Sequence, residues 1–334
     1  MMSALYEVAG LRVDLPLPAG GLSALLPLPG PRLNILDGID LVIGPGEIFG
    51  LVGESGSGKT TLARVMLGLT APTAGHLRFR GADLASGAAR GALRRGSAMM
   101  FQDPVASLSP RMRVGRLVTE PLVIAGRAPP DREAEAARLL ARVGLPAAMA
   151  SRYPHELSGG QARRVCVARA LALDPALVIA DEPTAGLDVS IQGDILNLMT
   201  DLTRSRGISF LIITHNLAVI RHTAGRIGIM YMGRLVETGP TAEVFRRPAH
   251  PYTASLIASQ PDPDPRKRRA DLAIKGEIPS LLRRPSGCPF HTRCPIAVPR
   301  CRGEMPRPRE IAPGRMVRCH LAEVMLESHE TRGG

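Results

Sequence analysis

The run Gly53-Glu54-Ser55-Gly56-Ser57-Gly58-Lys59-Thr60 restricts this chain more than any other stretch, because it requires a strand before it and a helix after it. Both are present. Ile48-Phe49-Gly50-Leu51-Val52 is a short continuous apolar run suited to a buried parallel strand, and Thr60 to Leu69 carries helical spacing. The glycines let the backbone wrap a phosphate and turn several N–H groups inward. Lys59 supplies a positive charge to the outer phosphates, the Thr60 hydroxyl can ligate Mg²⁺, and Thr61 follows in the first helical turn. An incidental glycine-rich turn containing a lysine would lack these flanks.

Strands and helices alternate along much of the rest of the chain. Val8 to Val13 alternates as an edge strand does, and Ile39 to Ile43 is expected to pair with it. Met99-Met100-Phe101 ends another strand, and residues 103–174 read as mostly helical. Asp131 starts an amphipathic helix that Gly144 stops. Leu177 to Ala180 is a buried strand, Val189 to Arg206 a long helix stopped by Gly207, and Phe210 to Ile213 the next strand. Ile227 to Tyr231 and Leu235 to Glu237 form a hairpin around Gly233. This order predicts a three-layer α/β core with a largely parallel sheet and an inserted helical lobe. The greasy stretch Leu15 to Pro31 is broken by prolines and reads as an ordered loop between two strands.

A second glycine-rich anion site lies at Leu157-Ser158-Gly159-Gly160-Gln161. Ser158 can cap the helix that Gln161 opens, leaving the N–H groups of Gly159 and Gly160 to face an anion. The chain has a complete phosphate loop elsewhere, so this spare site serves a nucleotide held by another subunit. Asp181 ends its buried strand where it can enter a Mg²⁺ shell, and Glu182 stands one residue further toward the outermost phosphate.

These residues resemble the ABC-type ATPases, whose signature is LSGGQ. The resemblance implies a P-loop NTPase fold: an ABC ATPase core with an antiparallel β-subdomain, an inserted helical subdomain and here a cysteine-bearing extension. It implies ATP as ligand with Mg²⁺ as cofactor. Gln102 matches the glutamine that contacts Mg²⁺ and senses the transmembrane partner. Asp188, after Gly186-Leu187, resembles the residue that crosses the dimer interface, and His215 resembles the switch histidine that positions water at the γ-phosphate. Lys59, Glu182 and His215 are the expected catalytic group. The family usually stacks adenine on an N-terminal aromatic ring. Here the aligned stretch reads Leu11-Arg12-Val13-Asp14-Leu15, so either Leu15 packs on the base or Tyr6 substitutes.

Further segments are similar to the oligopeptide/dipeptide importer ATPases. They are Phe101 to Met112, Tyr153-Pro154-His155-Glu156, Leu187 to Gln192, His250-Pro251-Tyr252-Thr253, Glu277-Ile278-Pro279 and Cys288-Pro289-Phe290-His291. The long stretch after Leu15 favours the second ATPase of the pair, the F-type subunit. Ala162-Arg163 departs from the group's usual Arg-Gln. The resemblance divides the chain into an ATPase domain over 1–260, with a helical subdomain over about 103–174, and an extension over 261–334. It implies a different, homologous ATPase as dimer partner, two transmembrane permeases and an extracytoplasmic solute-binding protein. Peptide is the implied cargo, with nickel, glutathione or another small solute as the alternative and a soluble ABC ATPase acting on nucleic acid as the less favoured rival.

The net charge of +12 suggests nucleic acid, an anionic membrane face or a polyanion, but only 3% of residues are aromatic. Without an aromatic platform among the basic residues, nucleic acid is the weaker reading. The local concentrations Arg266 to Arg269 and Arg283-Arg284 suit lipid headgroups better. No apolar stretch is long enough to cross a bilayer, so the chain is expected peripherally at the cytoplasmic face of the inner membrane.

Beyond Pro261 the texture becomes Pro- and Arg-rich and holds four of the five cysteines. Cys288, Cys294 and Cys301 are separated by five and six residues, and Cys319 follows after seventeen. Such spacing lacks the CxxC pairs of structural zinc. Four thiolates suit a [4Fe–4S] cluster, which the importer resemblance also implies. Zinc with help from His291 or His320, and no metal at all, stay open. Cys166 reads as a small buried apolar residue.

Overall fold

The computed structural model describes residues 4–17, 32–101, 103–260 and 276–330. Its strands are β1 (Tyr6–Pro16), β2 (Arg32–Ile43), β3 (Ile48–Val52), β4 (Ala74–Phe79), β5 (Ala82–Asp83) and β6 (Ser97–Met100). They continue as β7 (Leu177–Asp181), β8 (Ser209–Thr214), β9 (Arg226–Tyr231), β10 (Arg234–Pro240), β11 (Arg309–Ala312) and β12 (Arg315–Val317). A small antiparallel sheet has the order β2-β1-β4-β5, and a larger one runs β11-β12-β10-β9-β3-β8-β7-β6. The middle of the larger sheet, β9 to β6, is parallel, and its β10 side is antiparallel. The ABC-type α/β architecture expected from the sequence is the one observed.

Burial explains which strands could be read from the sequence. β3, β7 and β8 are buried at every residue, so their sequences are continuous apolar runs. β1 has one face on the core and shifts register against β2 between Val8 and Leu11. Gly10 takes φ +57 at that bulge, which interrupts the alternation. β4 and the helix Gly87–Gly96 are absent from the sequence reading, and so are the very short β11 and β12. Residues 18–31 of the Leu15 to Pro31 stretch lie outside the described residues, as does the basic run 266–269.

Two apolar cores stabilise the layers. Tyr6, Leu11 and Ile39 of the small sheet pack with Phe49 and Leu51 of β3 and Leu62 of the helix Lys59–Met66. On the other face, Val52 and Phe210 share a core with Leu117, Leu139 and Val165 of the helical insertion. Inside that insertion, Asp131 Oδ1 accepts the N–H groups of Glu133 and Ala134 at 3.0 and 2.9 Å, capping the helix Arg132–Ala141. The helix Val189–Arg206 ends at Gly207 with φ +67.

Register sets the site. Val52 pairs with Thr214 and Asp181 with Ile213. The loop opened by Gly53, the Asp181-Glu182 pair and Thr214-His215 therefore leave the sheet together at the carboxyl ends of parallel strands. That is where open α/β sheets bind ligands.

The chain beyond residue 276 returns to the same sheet. β12 pairs with β10, with Val317 opposite Glu237. Glu237 is 1% exposed and accepts the N–H groups of Ala249 and His250, each at 3.0 Å, and Arg315 Nη2 at 2.8 Å. A carboxylate buried to this degree needs such a full set of donors.

Candidate active site

The phosphate loop opens at Gly53, where a backbone contact admits no side chain. A Cβ on Gly53 would lie 2.2 Å from the Met230 carbonyl oxygen, and Gly233 N–H donates to the Ser57 carbonyl at 2.8 Å. Lys59 Nζ curls over its own loop, donating to the Gly53 and Glu54 carbonyls at 2.7 and 3.0 Å. Burial lowers its pKa, and the nearby carboxylates of Glu182, Asp181 and Glu54 oppose that shift. The helix Lys59–Met66 starts at Gly58 with φ +102 and no side-chain cap. Its first N–H groups are thus left for an anion.

Opposite the loop, Thr60 Oγ1 donates to Asp181 Oδ2 at 3.0 Å. Burial raises the Asp181 pKa, and the Thr60 hydrogen bond works against it. A buried carboxylate beside a hydroxyl is a pair of hard oxygen donors. This suits a Mg²⁺ that takes its remaining ligands from phosphate and water. Glu182 leaves β7 with φ +51, a left-handed conformation that costs a non-glycine residue energy and turns its side chain away from the strand line. Its carboxylate accepts Thr214 Oγ1 at 2.9 Å and His215 N–H at 3.0 Å, and His215 Nδ1 lies 2.7 Å away. The His215 side chain is 75% exposed. With Nδ1 donating to Glu182, Nε2 accepts a hydrogen bond in the neutral ring and donates one in the charged ring.

Glu54 to Thr61, Asp181, Glu182 and His215 line one cleft of about 760 Å³. Ser158 to Gln161 do not line it. Ser158 Oγ accepts Gln161 N–H at 3.3 Å, and Gln161 Oε1 accepts Ser158 N–H at 3.0 Å, a reciprocal cap at the start of the helix Gly159–Ala170. Gly160 leaves no room for a side chain, because a Cβ would come 2.9 Å from Ile191 Cγ2. Asp188 caps the helix Val189–Arg206 through Ile191 N–H at 2.9 Å. Gln102 lies outside the described residues.

Several residues at or near the cleft have contacts that the sequence reading does not assign to them. Arg293 of the extension donates to Glu54 Oε2 and Oε1 at 2.7 and 3.0 Å, and Glu54 N–H donates to the Tyr252 hydroxyl at 3.0 Å. Buried Arg163 reaches the Ala185 carbonyl at 2.8 Å and ties the Ser158 helix to the loop after Glu182. Ile35, Ile278 and Leu281 complete the lining. Tyr6 is not the missing base-stacking ring. It is 1% exposed, and its hydroxyl donates to the Met66 carbonyl at 2.6 Å inside the core.

The cysteine segment lies close by. Cys288 N–H donates to the Cys301 carbonyl at 2.8 Å, and Leu321 N–H to Cys319 Sγ at 3.3 Å. Burial pushes the Cys294 thiol up to about 11 and the Cys319 thiol up to about 12, with the other three cysteines of the segment adding to the Cys319 shift. Cys288, Cys294, Cys301 and Cys319 carry free thiols. Among the described residues no three His, Cys, Asp or Glu side chains close on a single metal ion. The sequence expectation of a metal-holding set at Cys288, Cys294, Cys301 and Cys319 is therefore not met by the side chains as placed. His291 Nδ1 and His320 Nε2 each lie against a backbone carbonyl, at 2.9 and 3.0 Å.

A phosphate loop facing an acidic strand end, with a separate capped Ser-Gly-Gly-Gln helix on an inserted helical lobe, defines an ATP-binding cassette ATPase. Residues 36–185 match the ABC transporter family, and residues 236–301 match the oligopeptide/dipeptide transporter C-terminal region. A probable peptide ABC transporter ATP-binding protein of Sinorhizobium fredii is 43% identical, over 98% of this chain and 93% of that protein. The oligopeptide transport ATP-binding protein AppF of Bacillus subtilis is 44% identical, over 86% and 90%. Among solved structures, the ATP-binding cassette MJ0796 in a dimeric post-hydrolysis state with ADP and Pi aligns with a TM-score of 0.60 at 26% identity, covering 71% of this chain and 98% of that one. CbiO1 of Clostridium perfringens gives 0.62 at 27%, covering 72% and 90%. The chain belongs to the ABC transporter ATPases, in the oligopeptide/dipeptide transporter group.

Proposed function

We propose that this chain hydrolyses ATP at one of two composite sites and so powers import of peptides across a membrane. The observation that carries this reading is the single cleft uniting Lys59, Thr60, Asp181, Glu182 and His215 while excluding Ser158 to Gln161. Gly53 to Thr61 would hold the phosphates, with Thr60 and Asp181 toward Mg²⁺, joined by Gln102. Glu182 orients the attacking water, and His215 holds the γ-phosphate end. Ser158, Gly159, Gly160 and Gln161 act on the nucleotide of a partner ATPase, and Asp188 meets that partner. Phosphoryl transfer asks mainly for positioning and charge, and these groups offer both.

The peptide cargo is supported by the names of the relatives and by the match of the C-terminal region. A heterodimer with a homologous ATPase, two permeases and an extracytoplasmic binding protein completes the reading, with the chain peripheral on the cytoplasmic face. We divide the chain into an ATPase domain, 1–260, and an extension, 261–334. Among the described residues no helix is long and apolar enough to cross a membrane, so attachment would run through the permeases. The test is a co-purified complex in proteoliposomes given labelled peptide and ATP. Peptide accumulation that depends on ATP is expected. Uptake of nickel or glutathione in its place would move the cargo, and a complex without ATP turnover would overturn the reading.

For the cysteines we propose a [4Fe–4S] cluster. Its support is four thiols in one segment, with Leu321 N–H donating to Cys319 Sγ at 3.3 Å. Such a donor stabilises a thiolate, while burial, which raises the Cys288, Cys294 and Cys319 thiols, works against thiolate formation until the cluster binds. A four-iron cube also spreads its ligands further apart than a single ion does. Anaerobically purified protein should contain about four irons and four sulfides per chain. Zinc in their place rules the cluster out.

A further inference from the structure

The cleft around Lys59 is not closed by the cassette alone. Its polar members, Lys59, Thr60, Asp181, Glu182 and His215, are those that meet phosphates and metal. Its large apolar members are Ile35 of β2 and two residues of the extension, Ile278 and Leu281. A second hollow of about 340 Å³ opens beside the same Glu54 to Ser57 turn, and Leu33, Tyr231, Met232 and Ile278 to Leu282 line it, the Tyr231 ring itself being 1% exposed and packed on Tyr252 and Phe290. A nucleoside triphosphate whose phosphates lie in the loop must put its base against something, and these aliphatic side chains are what the cleft offers.

The placement is anchored. Ser280 Oγ accepts Leu282 N–H at 3.2 Å and caps the short turn Leu281–Arg283. Arg284 then fastens that turn to β2: Nη1 reaches Asn34 Oδ1 at 3.0 Å and Asp37 Oδ2 at 3.2 Å, and Nη2 reaches the Asn34 carbonyl at 3.1 Å. Asn34 and Asp37 lie on either side of Ile35, so these bonds bring Leu281 to the large apolar side chain that β2 contributes to the Lys59 cleft. In the β1–β2 register Leu33 pairs with Leu15, where an aromatic ring was missed in the sequence. The cleft is lined by Ile35 rather than Leu15, and Tyr6 is committed to the core.

We propose that the extension completes the nucleotide pocket, Ile278 and Leu281 forming with Ile35 an aliphatic wall for the base of a purine nucleoside triphosphate. The proposal deepens the ATPase reading above and rests on it. Flat purine faces bury apolar area against aliphatic groups, although a stacked ring would offer more. The extension is then part of the binding site, and loss of its contact lowers affinity without touching the phosphate loop.

The test uses the full chain and displacement of a fluorescent nucleotide by two competitors, MgATP and magnesium tripolyphosphate, which has no base. In Ile278→Ser/Leu281→Ser, MgATP affinity should fall about 10-fold, while tripolyphosphate stays within about 2-fold. Unchanged MgATP affinity, or an equal fall for both ligands, overturns the wall. Should the double variant not fold, Leu281→Tyr decides. The added ring should tighten MgATP relative to tripolyphosphate about 3-fold, and an unchanged ratio overturns the proposal. Wild-type protein that binds neither ligand would sink the ATPase reading itself. Wild type that binds ATP with variants unaltered sinks only the wall.

Discussion

Glu182→Gln should lower ATP turnover of the assembled transporter about 10²- to 10³-fold and leave MgATP affinity within about 3-fold. The substitution keeps the shape of a side chain whose oxygens accept Thr214 Oγ1, His215 N–H and a contact from His215 Nδ1. An amide oxygen can still accept from His215, and the amide nitrogen can donate to the Thr214 hydroxyl. Geometry is therefore largely retained, and the negative charge is lost. Binding depends on the loop and Lys59, which Glu182 does not touch by hydrogen bond. In the proposed mechanism the attacking water needs the carboxylate. Steady-state phosphate release and nucleotide displacement on the same preparation separate the two effects. Turnover at the wild-type rate would remove Glu182 from the chemistry, and a parallel collapse of binding would recast it as a structural residue.

The contrast between Glu182 and Arg293 shows what the sequence could and could not carry. Glu182 was legible because its position is set locally. A fully buried strand reads as an apolar run, its end is marked by Asp181-Glu182-Pro183, and parallel pairing places that end beside the phosphate loop. The same holds for Lys59 and for Ser158, whose cap is closed within four residues. The long helix from Val189 was legible down to its Gly207 stop for the same reason. Arg293 stands 239 positions from Glu54, in a segment whose composition announces cysteines and not a contact with a phosphate loop. β11 and β12 are too short for a period to show and owe their existence to β10. Arg284, Ile278 and Leu281 share that character, since their meaning lies in where the extension lands. Tyr6 shows the opposite error. An aromatic residue near the N-terminus is compatible with stacking on a base, and only the tertiary structure shows its ring spent on the core. Long-range docking has no short-range signal, and here it shapes one side of the nucleotide cleft.

Arg293→Ala should weaken MgATP binding about 30-fold and lower the melting temperature. Both effects trace to one carboxylate. The Arg293 side chain is 5% exposed and Glu54's is 23%, and their two-toothed contact is backed by Tyr231 OH, 3.4 Å from Arg293 Nη1. Arg293 itself is fixed by its N–H to the Phe290 carbonyl at 2.9 Å, and the Phe290 ring packs edge-on against Tyr231 and Tyr252. Removing one partner of a fully buried pair costs about 3–5 kcal/mol, and somewhat less here because the Glu54 side chain is 23% exposed. Glu54 lies within electrostatic reach of Lys59. Freed from Arg293, it would be drawn to the ammonium that the phosphates need, and the loop backbone would move with it. This mechanism separates the charge from the packing. Arg293→Ala combined with Glu54→Gln should recover most of the lost ATP affinity, because no unpaired carboxylate remains to compete for Lys59. Arg293→Lys should recover little, since an ammonium cannot make the paired contact. Nucleotide displacement on wild type, Arg293→Ala, Glu54→Gln and the double variant, with Arg293→Lys beside them, decides. If Glu54→Gln fails to rescue, the extension supports the loop through packing alone, and the guanidinium has no electrostatic role at the site.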